Sequence, residues 1–69
     1  MNPDELRNLL SREPFEPFGI LLTSGDKHEV VDPYAVALMK NRLFFALPDG
    51  GWVFIPYLHI AALEALSAA

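Results

Sequence analysis

The stretch ILLTSGDKHEVVDPYAVALMKN, residues 20–41, decides the fold because strand-like segments in it alternate with turn signals. Residues 24–26, Ser-Gly-Asp, separate two such segments and predict a β-hairpin. The Asp-Pro pair at 32–33 interrupts the second strand, since proline in a strand indicates an edge, a bulge or a bend. The segment AVALM then resumes the strand, and the polar residues 40–42, Lys-Asn-Arg, predict the next turn.

The pattern of short strands and turns continues to the end of the chain. LFFAL, residues 43–47, is a further apolar run, and Pro-Asp-Gly-Gly at 48–51 is the strongest turn signal in the sequence. WVFI follows at 52–55 and is broken by Pro56. The last segment, HIAALEAL at 59–66, has a helix-forming composition. Its position after four strands nevertheless favours a short closing strand.

Residues 2–13 predict the only helix, with Asn2 as N-cap, Pro3 at the first helical position and Pro14 as the stop. Strands that are apolar on both faces indicate a strongly bent or closed sheet. We therefore expect one domain over residues 1–69. It is mainly β, with the N-terminal helix followed by a small five-stranded SH3-like barrel over residues 18–66.

The composition predicts self-association. Of the 69 residues, 52% are hydrophobic, and eight are aromatic (one Trp, two Tyr and five Phe). A chain of this length buries only about 60% of its unfolded surface. It has no cysteine, and therefore neither a disulfide framework nor a thiolate metal site. Small domains without such reinforcement often oligomerise, and we expect a homo-oligomer here.

Charge bears on the choice of partner. Nine acidic and five basic residues give a formal net charge of −4, which disfavours RNA because phosphate is bound mainly by Lys and Arg. No run reaches the roughly 20 apolar residues that span a bilayer. The segment at 1–14 is acidic, whereas a secretory signal begins with basic residues. We expect a cytoplasmic protein with no membrane partner.

The sequence does not predict an enzyme. His28 and His59 lie 31 residues apart, outside any metal-ligand spacing, and no serine has a base signature beside it. Gly50 and Gly51 follow Pro-Asp and serve a turn rather than a phosphate loop. We predict that the chain uses no cofactor and no metal. His28 is expected on a solvated strand face, and His59 is expected to hydrogen-bond the turn at Pro56 to the barrel.

Three stretches resemble the Sm-like fold, bacterial Hfq in particular. ILLTSGDKHEV (20–30) is similar to the first hairpin of that family. DPYAVALMKN (32–41) is similar to the segment in which an Asp and an aromatic residue precede an apolar strand. PYLHIAAL (56–63) resembles the turn that joins the last two strands. The chain is also similar to a group of short uncharacterised bacterial proteins that open with PFxPFxIxLxxG, which residues 14–25 match.

The Sm-like resemblance implies an RNA site and a mode of assembly. Uridine-rich RNA would stack on the aromatic residue after the Asp and contact the His of the last turn. Leu58 stands where the family has a Lys beside that His. The positions here that match these contacts are Tyr34 and His59. Together with Lys40 and Arg42, which an oligomer could concentrate on one face, they are the candidate ligand or RNA contacts.

Sm-type rings form by pairing the last two strands between neighbouring subunits, and WVFI and HIAALEAL would supply such edges here. Trp52 and Tyr57 are typical interface anchors, although both also suit a barrel wall with a satisfied Tyr hydroxyl. The candidate interface residues are Trp52, Phe54, Tyr57, Ile60 and Leu63. We predict a non-catalytic, self-associating interaction module, with other proteins as the candidate partners. The alternative is a divergent Sm-like RNA-binding protein.

Overall fold

The computed structural model describes residues 2–66 and begins with the helix α1 (Pro3–Leu10). The predicted N-cap is confirmed, because the side-chain oxygen of Asn2 accepts the N–H of Asp4 at 2.9 Å. The helix is shorter than the predicted 2–13. Both the N–H and the hydroxyl of Ser11 donate to the carbonyl of Arg7, at 3.1 and 2.9 Å, and this closes the last turn. Residues 1 and 67–69, which the predicted domain includes, lie outside the described residues.

Six β-strands follow the helix in the described part of the chain, where the sequence pattern predicts five. The Asp-Pro break accounts for the difference, because a 3₁₀ helix at Pro33–Ala35 divides the second strand in two. A second 3₁₀ helix, Tyr57–His59, separates the last two strands. The strands are β1 (Phe18–Leu22), β2 (Lys27–Val30), β3 (Val36–Leu38), β4 (Arg42–Ala46), β5 (Trp52–Pro56) and β6 (Ile60–Ala65).

The strands form two antiparallel three-stranded sheets with the orders β2-β1-β6 and β3-β4-β5. The prediction of a mainly β chain with one N-terminal helix is confirmed. The closing segment is a strand, as predicted, because β6 pairs with β1. The predicted glycine turns are also confirmed: Gly25 and Gly50 adopt φ values of 97° and 96°, a region that residues with a side chain rarely enter.

The corner at residues 32–35 sends the chain from the first sheet to the second. One carboxylate oxygen of Asp32 accepts the N–H of Tyr34 at 2.9 Å and caps the 3₁₀ helix. Pro33 has no N–H to donate to a strand ladder. β2 and β3 are therefore neighbours in sequence that belong to different sheets.

One apolar core joins the helix to both sheets. The helix α1 contributes the buried Leu6 and the partly buried Leu9 and Leu10. The ring of Phe18 lies edge-on to Phe15 with centroids 6.2 Å apart. No polar or charged residue is buried among the described residues. No described helix has the length and apolar character needed to cross a membrane. The buried members of the core are Leu6, Phe18, Ile20, Val30, Leu43, Phe45, Ile55, Tyr57 and Ile60.

Tyr57 fixes the chain between β5 and β6 to the turn between β3 and β4. Its hydroxyl donates to the carbonyl of Met39 at 2.6 Å, and its N–H donates to the carbonyl of Asn41 at 3.2 Å. The side chain is buried. The side chain and the main chain of Tyr57 therefore both hold the second 3₁₀ helix against the second sheet.

We expect Tyr57→Phe to lower the free energy of unfolding by about 1 kcal/mol, the usual net contribution of one hydrogen bond. Urea unfolding followed by circular dichroism measures this. The matched control is Tyr34→Phe, because Tyr34 is 95% exposed and its hydroxyl forms no hydrogen bond to any described residue. Equal stability of the two variants would contradict the assigned role of the Tyr57 hydroxyl.

Candidate interaction surfaces

The outer side of the second sheet carries an aromatic cluster. In the β4–β5 register Phe44 lies opposite Phe54, and Ala46 lies opposite Trp52. Because side chains alternate along a strand, all four share one face, while Leu43, Phe45 and Ile55 occupy the other and enter the core. We call the cluster of Phe44, Trp52 and Phe54 the aromatic face.

The three rings of the aromatic face pack on one another. Phe44 stacks with Trp52 at 5.9 Å between centroids, and Phe54 meets the other two edge-on at 5.7 and 5.3 Å. The guanidinium of Arg42 lies 4.5 Å from the Phe54 ring centre. Trp52 and Phe54 nevertheless keep 58% and 43% of their area exposed. A preorganised aromatic surface of this kind is typical of protein interfaces.

The aromatic face borders an unpaired sheet edge, because β5 pairs only with β4 among the described strands. The N–H of Leu47 donates to Gly51, and that of Tyr57 donates to Asn41. In an antiparallel ladder, every second residue of a strand turns its backbone groups toward the neighbouring strand. The two bonds show that residues 51 and 57 face β4, and hence that 53 and 55 do so too. The backbone groups of Trp52 and Phe54 therefore point away from β4, and Pro56 shares that orientation but lacks an N–H.

β6 is the second candidate edge. It is one of the two outer strands of the first sheet, β2 being the other, and in the described chain it pairs only with β1. Its one charged residue, Glu64, lies 3.8 Å from Lys27 of β2 in a partly exposed ion pair. The predicted pairing of the last two strands between copies requires both edges to be open, and the sheet order leaves both open.

The five candidate interface residues fall into two environments. Trp52 and Phe54 are exposed at the β5 edge, and Leu63 is half-buried beside the core. Tyr57 and Ile60 are buried within the chain's own core, where they stabilise the fold. Only Trp52, Phe54 and Leu63 are available to a partner without unfolding of the chain.

The four predicted RNA contacts do not converge on one pocket in the described structure. Lys40 and Arg42 lie in and beside the β3–β4 turn, and neither pairs with a described carboxylate. His59 is exposed in the second 3₁₀ helix, where its main-chain carbonyl, rather than its ring, accepts a hydrogen bond from Thr23 at 2.8 Å. Tyr34 lines a separate groove.

That groove lies at the opposite end of the second sheet from the β3–β4 turn. It has a volume of about 430 Å³ and is open to solvent. Tyr34 is 95% exposed and Val31 65% exposed. We call it the Tyr34 groove; it is lined by Glu29, Val31, Asp32, Tyr34, Ala35, Phe45, Ala46, Leu47 and Pro48.

No candidate metal cluster is found among the described residues. They contain no group of three or more His, Cys, Asp or Glu side chains placed to hold a metal ion. His28 is half-buried and lies edge-on to Phe45 with centroids 5.5 Å apart, which corrects the expected solvated position. The register explains this, because His28 lies opposite Ile20 and so faces the core side of the first sheet.

Sequence reasoning missed two parts of these surfaces. Phe44 belongs to the aromatic face, but its neighbours in LFFAL are buried, and only the register with β5 shows which Phe faces outward. Val31 and Leu47 line the same groove, although they lie 16 residues apart and nothing in the sequence pattern links them. Alternation within β4 was the one available indication, since Phe44 and Phe45 must point to opposite faces.

Comparison of the chain with family models, curated proteins and solved structures gives no match.

Proposed function

We propose that this protein is a non-catalytic interaction module that assembles with copies of itself through β5 and β6. The observation that carries the proposal is the aromatic face at the open edge of β5, where Trp52 and Phe54 combine exposed rings with unpaired backbone groups. We also propose that the two sheets are halves of a small SH3-like, Sm-like barrel. The single core shared by both sheets supports that assignment.

A second copy is the occupant that the edges favour. An open strand edge pairs readily with another strand, and proteins that avoid this place charges or bulges on the edge. β5 has no charged residue between Trp52 and Pro56. Pairing β5 of one copy with β6 of the next would be a head-to-tail contact, which repeats to form a ring or a filament.

The apolar surface that the chain leaves exposed supports the same proposal. Six large hydrophobic residues remain exposed in the described chain, three of them aromatic. Burial of apolar surface stabilises an association by roughly 25 cal/mol per Å² before the costs of ordering are subtracted. Trp52 lies beside the open edge and would be covered first when a strand is added. The exposed large hydrophobic residues are Val31, Tyr34, Met39, Trp52, Phe54 and Leu58.

We expect the double variant Trp52→Lys, Phe54→Lys to raise the dissociation constant of self-association at least about 30-fold, the effect of losing one interface anchor worth about 2 kcal/mol. Light scattering over a concentration series measures this. The matched control is Val31→Lys, Tyr34→Lys, which introduces the same charge at two exposed hydrophobic positions in the Tyr34 groove. The control should associate as the unchanged protein does.

Trp52 also reports the same equilibrium in the unchanged protein, because it is the only tryptophan. Its fluorescence emission should move to longer wavelength on dilution, as the ring returns to water. A protein that stays monomeric in light scattering at the highest micromolar concentrations tested would overturn the proposed assembly.

Binding of RNA in the manner of a divergent Sm-like protein is the second candidate. The observation that favours it is that neither Lys40 nor Arg42 pairs with a described carboxylate, and that Arg42 lies over the Phe54 ring. The proposed contacts are these two residues with Tyr34 and His59. The net charge of −4 opposes this candidate.

If the RNA candidate holds, a short uridine-rich RNA should bind with an affinity that falls as salt rises. The variant Lys40→Ala, Arg42→Ala should lower the salt slope by about 1.4, since each cation that contacts a phosphate of a single strand contributes about 0.7. Tyr34→Ala and His59→Ala should weaken binding at all salt concentrations. Absence of binding at low salt would exclude this candidate.

A further inference from the structure

The charged residues that line the Tyr34 groove are all acidic. Of the described residues that line it, two are carboxylates, Glu29 and Asp32, and none is a cation. Neither carboxylate has a described salt-bridge partner. One oxygen of Asp32 caps the 3₁₀ helix through the N–H of Tyr34, and the other accepts no described hydrogen bond. Negative charge here is uncompensated within the described chain.

The groove also offers an apolar and aromatic floor. Its lining includes the exposed residues Val31, Tyr34 and Pro48 and the half-buried Leu47. An aromatic ring that is 95% exposed presents its face to a cation, and Arg binds such faces while keeping its hydrogen-bond donors for nearby carboxylates. The groove therefore suits a peptide segment in which an arginine stands next to an apolar residue.

We propose that the Tyr34 groove docks a basic segment of a partner protein, with an arginine on the Tyr34 ring beside Glu29 and Asp32 and an apolar side chain over Val31. Charge complementarity identifies the occupant. The groove is acidic, and the whole chain has a net charge of −4, which steers a basic partner toward it and repels an acidic one. This surface is distinct from the aromatic face and does not require self-association.

The adjoining surface limits where the basic segment lies. Lys27 and His28 line the trough that continues from the groove past Glu29. Lys27 is already 3.8 Å from Glu64, and His28 packs on Phe45. A cationic segment is favoured at the Tyr34 end and not at the Lys27 end, so docking is confined to residues 29–35 and 45–48.

The test is a nuclear magnetic resonance titration of the isotope-labelled full chain with a capped five-residue peptide, alanine-arginine-leucine-arginine-alanine. We expect shifts confined to residues 29–35 and 45–48, with binding that weakens as salt rises because the contact is solvent-exposed. The same peptide with glutamate in place of arginine should cause no shifts. Absence of shifts with the arginine peptide at millimolar concentration would overturn the proposal.

Two charge-matched variants separate the groove from the general charge of the chain. Glu29→Gln, Asp32→Asn removes both groove carboxylates and keeps the cap, since Asn is as good an N-cap as Asp. Glu5→Gln, Glu13→Gln removes two exposed, unpaired carboxylates far from the groove in sequence. We expect the first variant to bind the peptide about tenfold more weakly and the second less than twofold more weakly. Equal losses would mean non-specific attraction and would overturn the site.

The occupant could instead be the basic β3–β4 turn of a second copy, and the test distinguishes this. In that case Lys40→Glu, Arg42→Glu would shift the groove signals of the protein alone, before any peptide is added, and that result would overturn an external partner. We expect no such shift. The variant Trp52→Lys, Phe54→Lys changes no residue of the groove. We expect it to bind the arginine peptide as the unchanged protein does, whether or not the chain self-associates.

Discussion

A chain of this length can cover one core from two sheets only if it leaves the first sheet soon after β2, and the corner at residues 32–35 imposes that departure. Pro33 has no N–H for a strand ladder, and the Asp32 carboxylate accepts the N–H of Tyr34 and so caps the turn that follows. β3 can then join β4 and β5 in the second sheet. Both sheets face the same buried residues as a result.

The same corner creates the most exposed aromatic side chain in the molecule. A 3₁₀ turn has three residues per turn, so a residue in a one-turn helix on the surface points outward unless something covers it. Tyr34 occupies such a position beside the carboxylate that caps the turn. The bend that closes the core therefore also places an aromatic ring and an acid next to each other in water.

Most of the fold was predictable because it depends on caps, turns and strand breaks that a few neighbouring residues determine. The Asn2 cap, the glycine turns and the Asp-Pro break each act within a few residues, and each is found where the sequence places it. The surfaces were less predictable. Which Phe of the adjacent pair 44–45 faces solvent depends on the register with β5, a pairing between segments ten residues apart. The burial of Tyr57 and Ile60 likewise depends on where the second 3₁₀ helix docks.

Pro56 at the end of β5 sets a limit on what an added strand can gain. Trp52 and Phe54 are the two residues of β5 that turn an N–H toward the open edge, since Pro56 has none. A strand added at this edge would accept only two main-chain N–H donors from β5. Subunits joined through so short a ladder would exchange reversibly between free and assembled states. The state of assembly would then follow the amount of protein present. A cell could control it by synthesis and degradation alone.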